Sequence, residues 1–196
     1  MRVRELTQKF LKDYWDFSPT SGSRIGLHQY DGRLPEFSPS RVRARIGELR
    51  RSLGQLSAIA TEQLSKDQLL SYRLLGLLLK RELFNLDEWR TLETNPMKQV
   101  GFLNVSGYVR RDYAPLVDRI RSAIAVLNGV PEFLEILKTT LLPNVGRFVL
   151  EMSVESYRGM ARFYRVDLDQ IKNDCSDKET VRIFDYARES AAAAVI

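Results

Sequence analysis

Leu69-Leu70-Ser71-Tyr72-Arg73-Leu74-Leu75-Gly76-Leu77-Leu78-Leu79-Lys80-Arg81-Glu82-Leu83-Phe84-Asn85-Leu86 is apolar on nearly every side of a helical projection. It is too long for an ordinary strand. Its densest part, Leu74 to Leu79, falls far short of the roughly 20 residues that span a bilayer. Just before it, Ser65-Lys66-Asp67-Gln68 has the spacing of a capping box. A helix without a polar face is one that its neighbours surround. The segment is therefore expected at the centre of a helical core.

The flanking sequence is helical in period as well. On the amino-terminal side Val42, Ile46, Leu49, Leu53 and Leu56 form a narrow seam, opened by Ser38-Pro39 as N-cap and first helical residue. Earlier still, Leu6, Phe10, Leu11, Tyr14 and Trp15 share one face, and Ser18-Pro19-Thr20-Ser21-Gly22 ends that helix. Thr20 to Ser38 and Asn95 to Arg110 have little period and read as long loops, a kind more often functional or tightly packed than idle. Beyond them, Leu116, Val117, Ile120, Ile124 and Leu127 mark a helix that Asn128-Gly129-Val130-Pro131 is expected to close. A new one would carry Phe133, Leu134, Ile136, Leu137 and Leu141, and a longer one runs from Val145 to about Tyr164. Ser176-Asp177-Lys178-Glu179 is a second capping-box pattern, before Val181, Phe184 and Tyr186. That last helix passes through Ala191 to Ala194 with no Gly, Asn or Pro to stop it and reads as a helix cut while running. The expected fold is all-α: one domain over 1–196, an irregular bundle of about seven helices with long loops.

Composition excludes more than it assigns. Thirty Lys+Arg against 25 Asp+Glu leave a net charge of +5 on 196 residues, too mild to imply nucleic acid. One cysteine and one histidine exclude an internal disulfide and a multi-histidine metal site. There is no apolar leader after Met1, so the chain is expected in the cytoplasm, with no membrane partner. His-Glu-x-x-His, Cys-x-x-Cys, Gly-x-Ser-x-Gly and phosphate-cradling loops are all missing. Asp174 and Asp177 beside Cys175 suppress a thiolate there. No catalytic residue and no metal ligand is assigned. Arg41, Arg43, Arg45, Arg50 and Arg51 read as a solvated face flanking the Val42–Leu56 seam.

Two polar groups stand out. Gly26-Leu27-His28-Gln29-Tyr30-Asp31-Gly32-Arg33-Leu34-Pro35 presents His28, Tyr30 and Asp31 either to a cleft or to buried backbone groups that they lock in place. Arg110 and Arg111, beside Tyr108 and Tyr113, suit a carboxylate or pair with Asp112 and Asp118.

In order along the chain stand Asp13-Tyr14-Trp15 and Pro19, the Gly26–Pro35 stretch, Leu83-Phe84 with Trp89, and Asn95-Pro96. Arg111 with Tyr113-Ala114-Pro115 and Arg119, then Pro131-Glu132-Phe133-Leu134, complete the pattern. With these the chain resembles the amino-terminal part of a bacterial family, domain of unknown function 885. The resemblance implies a longer, mostly helical zincin-like metallopeptidase, with a His-Glu-x-x-Pro-Gly-His zinc motif downstream of this region. Zinc is thus implied only for a full-length member, and no cofactor is expected in this chain. By this resemblance the chain is a truncated, non-catalytic helical wall of a peptide-binding cleft, its partner a peptide or the missing carboxy-terminal part. Exposed apolar surface along Leu77 to Phe84 or at Val195-Ile196 would accompany truncation. The alternatives are a free-standing helical module that binds peptides or a partner helix, and a metal-free enzyme using His28, Tyr30 and Asp31.

Overall fold

A computed structural model describes residues 2–196, and all their side chains except those at 172 and 173. The first helical period becomes α1 (Val3–Phe17); α2 (Pro19–Arg24) winds residues that read as a helix end and loop; the next two periods become α3 (Pro39–Ser57) and α4 (Lys66–Leu83). After a one-turn α5 (Thr91–Thr94), the Asn95–Arg110 stretch winds into one-turn pieces, of which α6 (Met97–Val100) and α7 (Ser106–Arg110) are α-helical. Then come α8 (Leu116–Thr140), α9 (Arg147–Arg165), α10 (Ile171–Asp174) and α11 (Lys178–Ala194). The fold is all-α, an irregular bundle, with no strand among the described residues.

Local capping chemistry sets several starts. Ser65 Oγ accepts the Gln68 N–H at 3.3 Å while Gln68 Oε1 accepts the Ser65 N–H at 2.9 Å, a closed capping box. Ser38 caps α3 by accepting the Arg41 N–H at 3.3 Å. The second box is displaced by one residue. Asp177, not Ser176, is the cap, accepting from the N–H groups of Glu179 and Thr180 at 3.2 and 3.4 Å and from the Thr180 hydroxyl at 2.8 Å. A carboxylate that satisfies three donors outcompetes a neighbouring hydroxyl.

Three larger corrections concern packing. First, Asn128-Gly129-Val130-Pro131 does not separate two helices; α8 runs through it for 25 residues. An internal proline costs about 3 kcal/mol. Against that, Val130, Phe133 and Leu134 are all buried, each at about 1.5–3 kcal/mol. Gly129 serves close approach: a Cβ there would stand 3.0 Å from Leu34 Cδ1.

Second, α8 occupies the centre, not the Leu69–Leu86 segment. Ile120, Ala123, Leu127 and Val130 of α8 have no exposure, and Ala187, Ala191 and Ala192 of α11, equally buried, let α11 lie close against it. In α4 only Leu75 and Leu79 are buried, whereas Leu70, Leu74 and Leu77 are 59%, 52% and 66% exposed. The cause is that α4 packs on α1 and α3, and one side of a helix suffices for that. Its second apolar row, continued by the exposed Phe84, faces outward.

Third, the α3 basic run is not uniformly solvated. Arg45 is 1% exposed and holds Glu82 of α4 bidentately at 2.8 and 2.9 Å, with Glu48 at 3.3 Å. Its guanidinium lies 5.8 and 5.7 Å from the ring centroids of Phe10 and Phe17. Position 45 falls on the seam side of α3, and only its pairing with the half-buried Glu82 and Glu48 carboxylates keeps a charge there.

Candidate functional site

The aperiodic Gly26–Pro35 stretch folds against the centre of the bundle because two glycines let it turn. Gly26 and Gly32 have φ of +91° and +75° and bracket a 3-10 turn, His28–Tyr30. A Cβ on Gly32 would meet Ala125 Cβ at 3.1 Å, so only glycine lets the backbone approach α8 this closely.

Asp31 is the hub of this turn. Its Oδ1 accepts from Ser23 Oγ at 2.5 Å, and its Oδ2 accepts from the Tyr113 hydroxyl at 2.7 Å and lies 3.0 Å from His28 Nδ1. The His28 and Tyr113 rings stack at 3.8 Å with 10° between planes. The Tyr108 hydroxyl oxygen accepts the Gly32 N–H at 3.0 Å and stands 3.2 Å from Ser23 Oγ. Burial, and then the Asp31 carboxylate, push the Tyr113 phenol well above its ordinary range, so it remains a donor.

Tyr30 faces elsewhere. It is buried against Gly22, where a Cβ would come within 2.8 Å of Tyr30 Cδ2, and Arg33 lies over its ring at 5.3 Å. Burial first, then the charge of Asp16, raise its hydroxyl above the usual phenol value.

Beside the His28 turn lies a cavity of about 430 Å³. His28, Arg110 and Arg111 line it, while Asp31 sits behind them. Two further residues escape sequence reasoning: Arg24 and Thr20 also line the cavity, carried there by α2. Nothing in their local sequence marks them. Arg24 donates to the Gly101 carbonyl, and Arg111 donates to the Arg24 carbonyl at 2.6 Å. Behind them Arg119, 7% exposed, clamps the 108–114 segment by donating to the carbonyls of Ala114, Tyr108 and Arg111 at 2.7, 3.1 and 2.7 Å.

Asp112 pairs with Arg119 and Asp118 with Arg121, each at 3.2 Å. Among the described residues no carboxylate lines the cavity while three arginines do, which gives it a positive field.

The zinc implied by the sequence resemblance does not fit this chain. Among the described residues no three His, Cys, Asp or Glu side chains converge where a metal could sit. His28 and Asp31 are already engaged with each other and with Ser23 and Tyr113. Among the described residues no helix is long and apolar enough to cross a membrane.

Fold and cavity together define an all-α protein with a basic, glycine-bordered pocket. The chain belongs to the family of bacterial proteins of unknown function DUF885, whose profile matches residues 19–196. In structure it is similar to a candidate lipoprotein of unknown function from Shewanella oneidensis, with a TM-score of 0.84 at 19% identity. That likeness covers 100% of this chain and 36% of the other, so the chain spans about a third of that protein's length. No curated protein matches it in sequence.

Proposed function

We propose that this chain is a non-catalytic helical wall, and that the outward row of α4 is covered by further helices of a longer family protein. The observation that carries this reading is Leu70, Leu74 and Leu77, more than half exposed, with Phe84 following on the same side. Successive spacings of four, three and seven residues place them on one face of a helix. Exposed apolar rows of this kind mark contact surfaces. The row extends to Trp89, itself 58% exposed, whose ring lies 6.0 Å from that of Phe84. The Shewanella oneidensis protein supplies the proportion: a chain of this fold occupies 36% of it, leaving ample sequence to cover such a face.

The reading is tested with the purified chain and a fluorescent apolar dye. The chain should bind the dye at full native helicity, and Leu74→Asp with Leu77→Asp should remove most of that binding. A monodisperse monomer that binds no dye sinks the proposal. So does a genomic locus with no frame beyond codon 196 that encodes further helices and the His-Glu-x-x-Pro-Gly-His motif.

A further inference from the structure

We propose that the cavity beside the His28 turn is a binding site for the carboxylate end of a peptide, held by Arg110 together with Arg24 and Arg111. This stands apart from whatever covers α4, because the cavity is formed by α2, the His28 turn, the 101–104 segment and α7.

Charge is the first argument. Arg24, Arg110 and Arg111 all line one cavity, and among the described residues no carboxylate does. Acidic neighbours are close in sequence, yet Asp112 is taken by Arg119 and Asp118 by Arg121. Among the described residues none of Arg24, Arg110 and Arg111 forms an ion pair. A planar guanidinium presents five N–H donors in a fork that matches a carboxylate. Arg24 and Arg111 each spend one nitrogen on a backbone carbonyl, and this fixes their place while other donors remain. The Arg110 side chain forms no hydrogen bond among the described residues, so its whole fork is available to a ligand.

Preorganisation is the second. The 108–114 segment that carries Arg110 and Arg111 is held from behind by the buried Arg119. The His28 ring is fixed by Asp31 and by its stack on Tyr113. A site whose backbone is already held loses less entropy on binding.

Thr20 borders the same cavity. It is 8% exposed, it lines the cavity, and its hydroxyl has no hydrogen-bond partner. Buried polar groups are almost always paired. The oxygen itself is sealed from the cavity, so Thr20 shapes the wall rather than offering a donor to a ligand.

Size and wall chemistry then choose among anions. About 430 Å³ lies within the usual range for sites that enclose small organic ligands and far exceeds a bare inorganic anion. Phe102 and Val126 give the cavity an apolar side next to the guanidiniums. A carboxylate on a carbon that also bears a side chain, the terminus of a peptide, satisfies both sides at once.

The test is calorimetry of the full chain with N-acetyl-phenylalanine, its amide, and inorganic phosphate. The acid should bind with Kd on the order of 1 mM or tighter, and the amide and phosphate at least tenfold more weakly. Arg110→Gln should weaken the acid about tenfold. Because Arg110 holds no backbone group, that variant should keep its circular dichroism and melting point. A second measurement needs no variant: amide chemical shifts on titration with the acid should move at Thr20, Gly101, Ser106 and Gly107. Absence of binding, equal affinity for acid and amide, an unchanged Arg110→Gln, or shifts confined to other residues would each overturn the proposal. Phosphate bound as tightly as the acid overturns it too, leaving a general anion site.

Discussion

Arg45 tests the packing of α3 on α4 most directly. Arg45→Met keeps an unbranched, apolar side chain beside Phe10 and Phe17 but removes the charge. Glu82, whose side chain is 11% exposed, then loses hydrogen bonds of 2.8 and 2.9 Å and remains a largely enclosed carboxylate without its partner. Glu48 suffers less, being 27% exposed and keeping Arg41 at 3.1 Å. Breaking one side of a buried pair costs roughly 3–5 kcal/mol. Loss of the cation–ring contacts at 5.8 and 5.7 Å adds about 0.5–1 kcal/mol each at most, partly recovered by methionine packing. For a chain of this length the single variant should melt at least 6 °C lower, on about 2–4 °C per kcal/mol. The double variant Arg45→Met/Glu82→Met removes both charges and should return to within about 1 kcal/mol of the parent. Urea unfolding followed by circular dichroism measures all three proteins. If the single variant loses less than about 1 kcal/mol, or the double variant is as unstable as the single, the pair does not hold α3 to α4 as described.

Two further perturbations probe other parts of the fold. Gly22→Ala puts a Cβ 2.8 Å from Tyr30 Cδ2 and 3.2 Å from Cγ; a buried ring has little room to give, so a loss of about 1–3 kcal/mol is expected, and an unchanged or higher melting temperature contradicts that packing. Asp177 holds its carboxyl below the ordinary value of 3.8, chiefly through the Thr180 hydroxyl and then the Thr180 N–H. Because the folded value is the lower one, its stabilisation is present above the unfolded value and is lost as pH falls through the folded one. Asp177→Asn should therefore flatten part of the stability decline below about pH 4, and unfolding curves whose acid dependence matches the parent's count against this cap.

What could be read from residues alone divides by the range of the interaction. Ser65 and Ser38 were legible as caps because donor and acceptor lie three residues apart, inside any local pattern. His28, Arg110 and Arg111 drew notice by residue type, yet nothing near them in sequence announces Arg24. It joins them through contacts to Gly101 and Arg111, 77 and 87 residues away. Arg45 likewise looked like its neighbours until Glu82, 37 residues on, came alongside. The Leu69–Leu86 segment fails for a deeper reason. Periodicity reports that two faces of a helix are apolar, but not how many neighbours exist to cover them. In this chain α1 and α3 cover the Leu75–Leu79 face and leave the Leu70–Leu74–Leu77 face in water. Pro131 shows the converse: a residue that locally ends a helix is carried through it because Val130, Phe133 and Leu134 are buried on both sides. Both departures arise where burial outweighs local preference. The exposed Leu70–Leu74–Leu77 row is therefore the surface on which the proposed covering helices have to be tested.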